Sequence, residues 1–390
     1  MLNKTTTLLL LMVIFFAFTN CKKKGCTDPL ATNYNTAAQK DDGSCEYSPA
    51  PVTPDYVVPS TYAFTDDAGN STVSFSGQTS RMDMLSEMVT YLKTANDAGG
   101  GLTPSTLNST TLLTMYDNTY SGWTDQNLVN NGKQLKNKTA LNEAAIQTKF
   151  ETWMTDAANA SPSTNGTYLQ DSTGHEWTQL IEKGLMGACF ANQLTGNYLS
   201  GIANDNNTNI VSGKYYTEME HHWDEAYGYF TDAIDYPSSG TNRFWGKYAN
   251  NTLEPHIGSA TNIATAFRTG RAAISAGYTD DAITQAGIIE SEVLKMVAGM
   301  AIHYLNDVKA KVAGGTDPQT KINHSMSEAY AFIFGIQFVN NSPMSSNDID
   351  TILSSIDSDF QGFTQSVVSI NAVIDQIAIA TGLDAHKNDL

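Results

Sequence analysis

The stretch "DDAITQAGIIESEVLKMVAGMAIHYLNDVKAKV", residues 280–312, contains no proline, and its apolar residues Ile289, Val293, Val297 and Met300 recur every three or four positions. That spacing keeps them on one face of an α-helix and predicts the longest helix of the chain. Apolar runs of the same period cover about 105–118, 139–160, 174–202, 213–235, 259–276, 325–339, 346–360 and 363–381. An earlier one, "SRMDMLSEMVTYLKTAN", opens on Ser80 as an N-cap and stops at the glycines of 99–101. The separators "SPSTNG", "NDNNTN", "PSSG", "AGGTDP" and "NNSPMSSND" carry turn chemistry. The fold class expected is therefore all-α, long helices packed as a bundle or bundles. Glycines persist inside the runs, as in "EKGLMGACFA" and "MVAGMAIHYL". Each costs about 1 kcal/mol against alanine in a helix, so their retention predicts close helix–helix approach.

The N-terminus reads differently. "MLNKTTTLLLLMVIFFAFTNC" has Lys4, an apolar run from Leu8 to Phe18, and Cys21. The run is too short to span a bilayer and suits a signal peptide, residues 1–20. "AFTNC" is similar to a bacterial lipobox, which makes Cys21 the expected lipidation site and the chain anchored to a membrane without crossing it. "CKKKG" after it is basic and lacks the acidic export signal of some surface lipoproteins, which favours the periplasmic side of the outer membrane.

In residues 21–47, "GCTDPLATNYNTAAQKDDGSCEY" brackets an acidic, Asn-rich loop with Cys26 and Cys45. In an exported chain this pair reads as a disulfide that staples a module too small to own a core. The pattern resembles a Cys-bracketed module of exported Gram-negative proteins. Asp28, Asp41 and Asp42 are oxygen donors suited to calcium, and a plain stapled spacer is the competing reading. Cys189, in "GLMGACFANQ", reads as a buried core thiol. Residues 48–61 are a Pro-rich linker, 62–79 a short hairpin about Ala68-Gly69-Asn70, and 62–385 the helical domain.

Net charge is −18. Such a surface repels nucleic acid and attracts cations, which excludes nucleic-acid partners.

The chemistry-bearing stretch is "EMEHHWDEAYGYF", 218–230. His222 and Glu225 lie at i, i+3, Glu218 one turn before His222, and Glu218 with His221 forms Glu-x-x-His. Downstream, "NHSMSEAYAFIFGIQF" places His324 and Glu328 at i, i+4 and repeats the Glu-Ala-Tyr of 225–227. The longest helix carries Glu290, Glu292 and His303, and "GHEWTQLIEKGLMGA" carries His175, Glu176 and Glu182. Imidazole with carboxylate suits iron, zinc, copper or manganese, and bundle cores are where helical proteins build such sites. The same residues also read as satisfied polar pairs of a packed bundle. A His-Glu-x-x-His zincin motif, paired Glu-x-x-His di-iron motifs, a Gly-x-Ser-x-Gly elbow and a phosphate-cradling glycine loop are all missing.

The segments "SGQTSRMDMLSEM", "QLIEKGLMGACF", "HHWDEAYGYF", "VAGMAIHYLND" and "HSMSEAYAFIFGIQF" resemble an uncharacterised family of bacterial lipoproteins, a domain of unknown function. That family looks related to the imelysins, all-α envelope proteins with a Gly-x-His-x-x-Glu motif. His222-Trp223-Asp224-Glu225 matches its His-x-x-Glu, but Glu220 stands where the glycine belongs. The resemblance implies imelysin-like helical bundles and a role in uptake of iron or another metal, beside an outer-membrane receptor.

The function expected is thus a cell-envelope lipoprotein holding a metal ion, iron first, or a metal complex, and more a binding protein than an enzyme. His222 and Glu225 would be direct ligands, with Glu218, His221, His324, Glu328, Glu292 and His303 supplying the rest. Two alternatives stand beside it. One is a metal-dependent hydrolase or peptidase-like enzyme with Asp224 or Glu225 as general base. The other is a purely structural surface lipoprotein.

Overall fold

The computed structural model describes residues 22–29, 31–46, 55–96, 104–161, 167–238 and 242–390. The signal peptide, the lipidation site Cys21 and the proline-rich residues 47–54 lie outside them. The chain divides into two compact units, Met1–Asp55 and Tyr56–Leu390.

In the small unit Cys26 and Cys45 form the expected disulfide. Asp41 and Asp42 turn their carboxylates to their own loop, accepting from Gly43 N–H at 3.0 Å and Ser44 N–H at 3.1 Å.

The large unit is helical. Its helices are α1 (Ser76–Lys93), α2 (Ser109–Tyr116), α3 (Ala144–Ala160), α4 (Trp177–Leu185), α5 (Glu218–Phe230), α6 (Phe244–Tyr248), α7 (Glu254–Ile257), α8 (Ser259–Ser275), α9 (Thr279–Gly314), α10 (Gln319–Ile336), α11 (Ser346–Asp357), α12 (Phe360–Gln365) and α13 (Val367–Thr381). α9 packs against α8, α10 and α13, and α10 against α4. After Leu185 the α4 backbone continues through two π-wound segments, Met186–Ala191 and Gln193–Leu199. Cys189 lies there, fully buried, and burial pushes its thiol up to about 12, as a core thiol should be.

Glycine sets the closest approaches. A Cβ on Gly187 would stand 2.6 Å from the Cα of Gly335 in α10, so two backbones touch there. The Trp223 ring of α5 fills the notch at Gly270 of α8, where a Cβ would come within 2.1 Å, and its indole N–H donates to the Phe267 carbonyl at 3.0 Å.

Three boundaries differ from the sequence pattern. α1 begins a turn before Ser80, whose hydroxyl donates to the Ser76 carbonyl at 3.1 Å inside the helix. The hairpin at 62–79 is a single bridge, Thr65 to Ser71, around an Asp66 carboxylate that accepts from Ala68 and Asn70 N–H. The end of the supposed linker belongs to the large unit. Tyr56 donates to Asp281 at 3.1 Å and packs on Tyr278. Helical winding at 244–257 has no periodic signature. Tertiary contact holds it, with Trp245 fully buried and its indole N–H on the Met186 carbonyl at 2.8 Å. Among the described residues no helix is long and apolar enough to cross a membrane.

Candidate metal centre

α5 is started by a capping box. The Thr217 hydroxyl accepts from Glu220 N–H at 3.2 Å, and the Glu220 carboxylate accepts from Thr217 N–H at 2.9 Å. From that fixed start, successive residues point about 100° apart.

Glu220 and Asp224 face inward onto Arg271 of α8, which is fully buried. Its Nη1 donates to Glu220 Oε1 at 2.7 Å and its Nε to Asp224 Oδ1 at 2.9 Å. Tyr62 donates to Asp224 at 2.8 Å and Ser74 N–H at 3.0 Å, so this carboxylate is enclosed. Burial pushes Asp224 up to about 6 against the pull of Arg271. Asp224 is thereby spent on structure and is closed to a role as general base for a bound water.

His221 and Glu225 form the open face. His221 Nδ1 lies 3.1 Å from the Ser74 carbonyl, which only accepts, so Nδ1 carries the proton. The Nε2 lone pair of the neutral ring then faces Glu225 Oε2 at 3.8 Å, beyond a hydrogen bond. The other Glu225 oxygen accepts from Gln78 Nε2 at 2.9 Å. Tyr216 stacks on the imidazole at 4.6 Å. The two side chains keep 30% and 20% of their exposure, so solutes reach them. Burial holds the His221 pKa below the ordinary histidine value, partly offset by Glu225. The ring is therefore neutral and free to ligate at neutral pH. An imidazole whose second nitrogen is tied to a backbone carbonyl is the usual setting of a metal-binding histidine.

The sequence spacing pairs Glu225 with His222, and the structure pairs it with His221. His222 Nδ1 is 2.8 Å from Asp205, one helical face away, and Glu218 accepts from Asn206 N–H at 3.1 Å.

His324 and Glu328 of α10 meet different partners. His324 Nδ1 is 2.6 Å from Glu176 Oε2 and its Nε2 3.5 Å from Glu328 Oε2. Lys183 lies 3.9 Å from Glu328 and 2.8 Å from Glu182. Burial lowers the His324 pKa, but the hydrogen bond and charge of Glu176, with Glu328, outweigh it and leave the value raised. This is a closed ionic cluster with its own cation. It mirrors the α5 site in one respect, since Tyr168 stacks on His324 at 4.7 Å as Tyr216 does on His221.

The remaining candidates stand apart. Glu292 accepts from Lys295 at 2.8 Å and Asn262 at 3.1 Å. His303 packs on Tyr304, and burial lowers its pKa. The eight candidate ligands thus fall into separate places. Among the described residues no group of three or more His, Cys, Asp or Glu is arranged to hold a metal. The α5 face offers two donors.

No curated protein and no solved structure matches the chain. A family model does match, over residues 59–384, which takes in α1 to α13 and both histidine clusters. The chain belongs to the family described as a domain of unknown function, DUF4856.

Proposed function

We propose that this chain is a lipid-anchored protein of the cell envelope that binds a transition-metal cation at His221 and Glu225, iron being the metal that the imelysin resemblance implies. The observation that carries the reading is the disposition of His221: neutral, its Nδ1–H spent on the Ser74 carbonyl, its Nε2 3.8 Å from a reachable carboxylate. Metal–ligand bonds of about 2.0–2.2 Å bring a nitrogen and an oxygen on one ion to about 3–3.5 Å apart, so a small closure of the pair admits the ion. Two protein donors with the remaining positions left to other ligands suit a carrier that releases its cargo. Such a role fits an accessory to metal uptake on the periplasmic face of the outer membrane, beside a receptor.

The test is metal content and affinity. Protein purified without chelator is expected to hold close to one equivalent of iron or a competing transition metal. His221→Ala and Glu225→Gln should each weaken binding at least tenfold, while His222→Ala and His324→Ala retain it. Wild-type protein that takes up no metal, or a His221→Ala variant that binds as well as wild type, would end this reading.

A further inference from the structure

Beside the α5 face lies a group of cations that pair with no carboxylate among the described residues. Arg81 of α1 is only 5% exposed, yet its guanidinium donates only to carbonyls, Nε to Gln134 at 2.9 Å and Nη1 to Gly77 at 3.0 Å. Lys133 reaches the same turn. A Cβ on Gly77 would stand 3.4 Å from Lys133 Nζ and 3.5 Å from Arg81 Nη1. Lys138, half-buried, holds its ammonium over the Tyr198 ring, 5.7 Å from the centroid. Burial and the nearby Arg81 and Lys133 depress its pKa, against the attraction of Glu225. A chain of net charge −18 has abundant carboxylates to neutralise such a group, yet among the described residues none forms an ion pair with it, and Glu225, which attracts Lys138, is already used by the His221 site. Arg81, the buried member of the three, is a charge without a counter-charge, which is costly, and the arrangement favours an anion from outside.

Gln78 Oε1, Gln193 Oε1 and the Tyr229 hydroxyl are buried without a hydrogen-bond partner among the described residues. Gln78 is the residue that fixes Glu225, and Gln193 donates to the Lys138 carbonyl. These atoms are sealed from solvent, so the ligand's chemistry is set by the three cations, which match carboxylates.

We propose that Arg81, Lys133 and Lys138 form an anion subsite for a polycarboxylate, so that the cargo is a metal chelated by such a ligand and not the bare ion. The chelate part rests on the His221–Glu225 reading above, and the anion subsite does not. The two fit together. Two protein donors leave most coordination positions of a transition metal open, and a chelator fills them while its free carboxylates meet the cations.

Binding of citrate, ferric citrate and free metal ion to the full chain, followed by calorimetry, separates the two claims. Wild type is expected to bind ferric citrate, and Lys133→Gln/Lys138→Gln to bind it at least tenfold more weakly with unchanged helix content. Free metal binding should persist in that double variant, and citrate alone should bind wild type in a lysine-dependent, salt-sensitive way. Citrate binding without any metal binding would uphold the subsite and remove the metal reading. Equal affinity of wild type and double variant for both citrate and ferric citrate would overturn the proposal, as would failure of wild type to bind either.

Discussion

Arg271→Ala is expected to lower the unfolding free energy by about 3–5 kcal/mol, the range for stranding the partners of a buried ion pair. The guanidinium is fully buried and joins three segments. It donates to Glu220 and Asp224 of α5 and to the Thr72 hydroxyl at 2.9 Å, and it lies 5.0 Å from the centre of the Phe64 ring. Without it, Asp224 keeps only the Tyr62 hydroxyl and Ser74 N–H, too little for a carboxylate shut away from water. The loss must also be pH-dependent, with a definite sign. Burial already places Asp224 at about 6, above its unfolded value of about 3.9, so ionising it costs the folded state stability. Removing Arg271 takes away the group that pulls this pKa down and raises it further. Between the unfolded value and the new folded one, the native variant binds a proton that its unfolded chain does not, and its stability rises as pH falls. Urea unfolding should therefore show a wild-type-to-variant gap that is smaller at pH 5 than at pH 8. A gap that is the same at both, or a loss below about 1 kcal/mol, would contradict the network described here.

The helices were legible because burial imposes their period. Ile289, Val293, Val297 and Met300, read from spacing, are all fully buried in α9. The disulfide was legible because a stapled loop needs both its cysteines. The α5 stretch stood out as polar chemistry on an apolar helix, but which histidine faces Glu225 did not. On a helix i+3 and i+4 are equally neighbours, and the choice is made by Ser74 and Asp205, which hold His221 and His222 from remote parts of the chain. Asp224 reads as a spare acid until Arg271, far along the sequence, is seen to occupy it. Glu176 and His324 meet the same way. Arg81, Lys133 and Lys138 carry no signal at all in sequence. A cation is conspicuous only when folding leaves it without a carboxylate, and that is a property of three dimensions.

Gly187→Ala is the second substitution with a large expected effect, and its informative companion is Gly335→Ala. Both glycines sit at the crossing of the α4 continuation with α10, and in a helix interior alanine is favoured over glycine by about 1 kcal/mol. Propensity alone would make both changes stabilising. Contact separates them. The new methyl on residue 187 meets the Gly335 Cα at 2.6 Å, which is backbone and has no rotamer to escape into. The two helices must move apart, and neighbouring close-packed layers lose contact with them. Overpacking of this kind costs about 1–3 kcal/mol or more, enough to cancel the propensity gain and leave a net loss. On residue 335 the methyl meets Val297 Cγ1 at 3.3 Å and the Gly187 Cα at 3.4 Å, and a few tenths of an ångström of give relieves both. Gly335→Ala should then be close to neutral, with the two gains and losses offsetting. The pair measured side by side by thermal and urea unfolding is expected to differ by about 1–2 kcal/mol, Gly187→Ala being the worse. α10 also carries His324 and Glu328 against Glu176 and Lys183. Helix separation at Gly187 should therefore release part of the hold on His324 and lower its raised pKa, visible by NMR titration. Equal stability of the two variants would mean that the helices are not in backbone contact at this crossing.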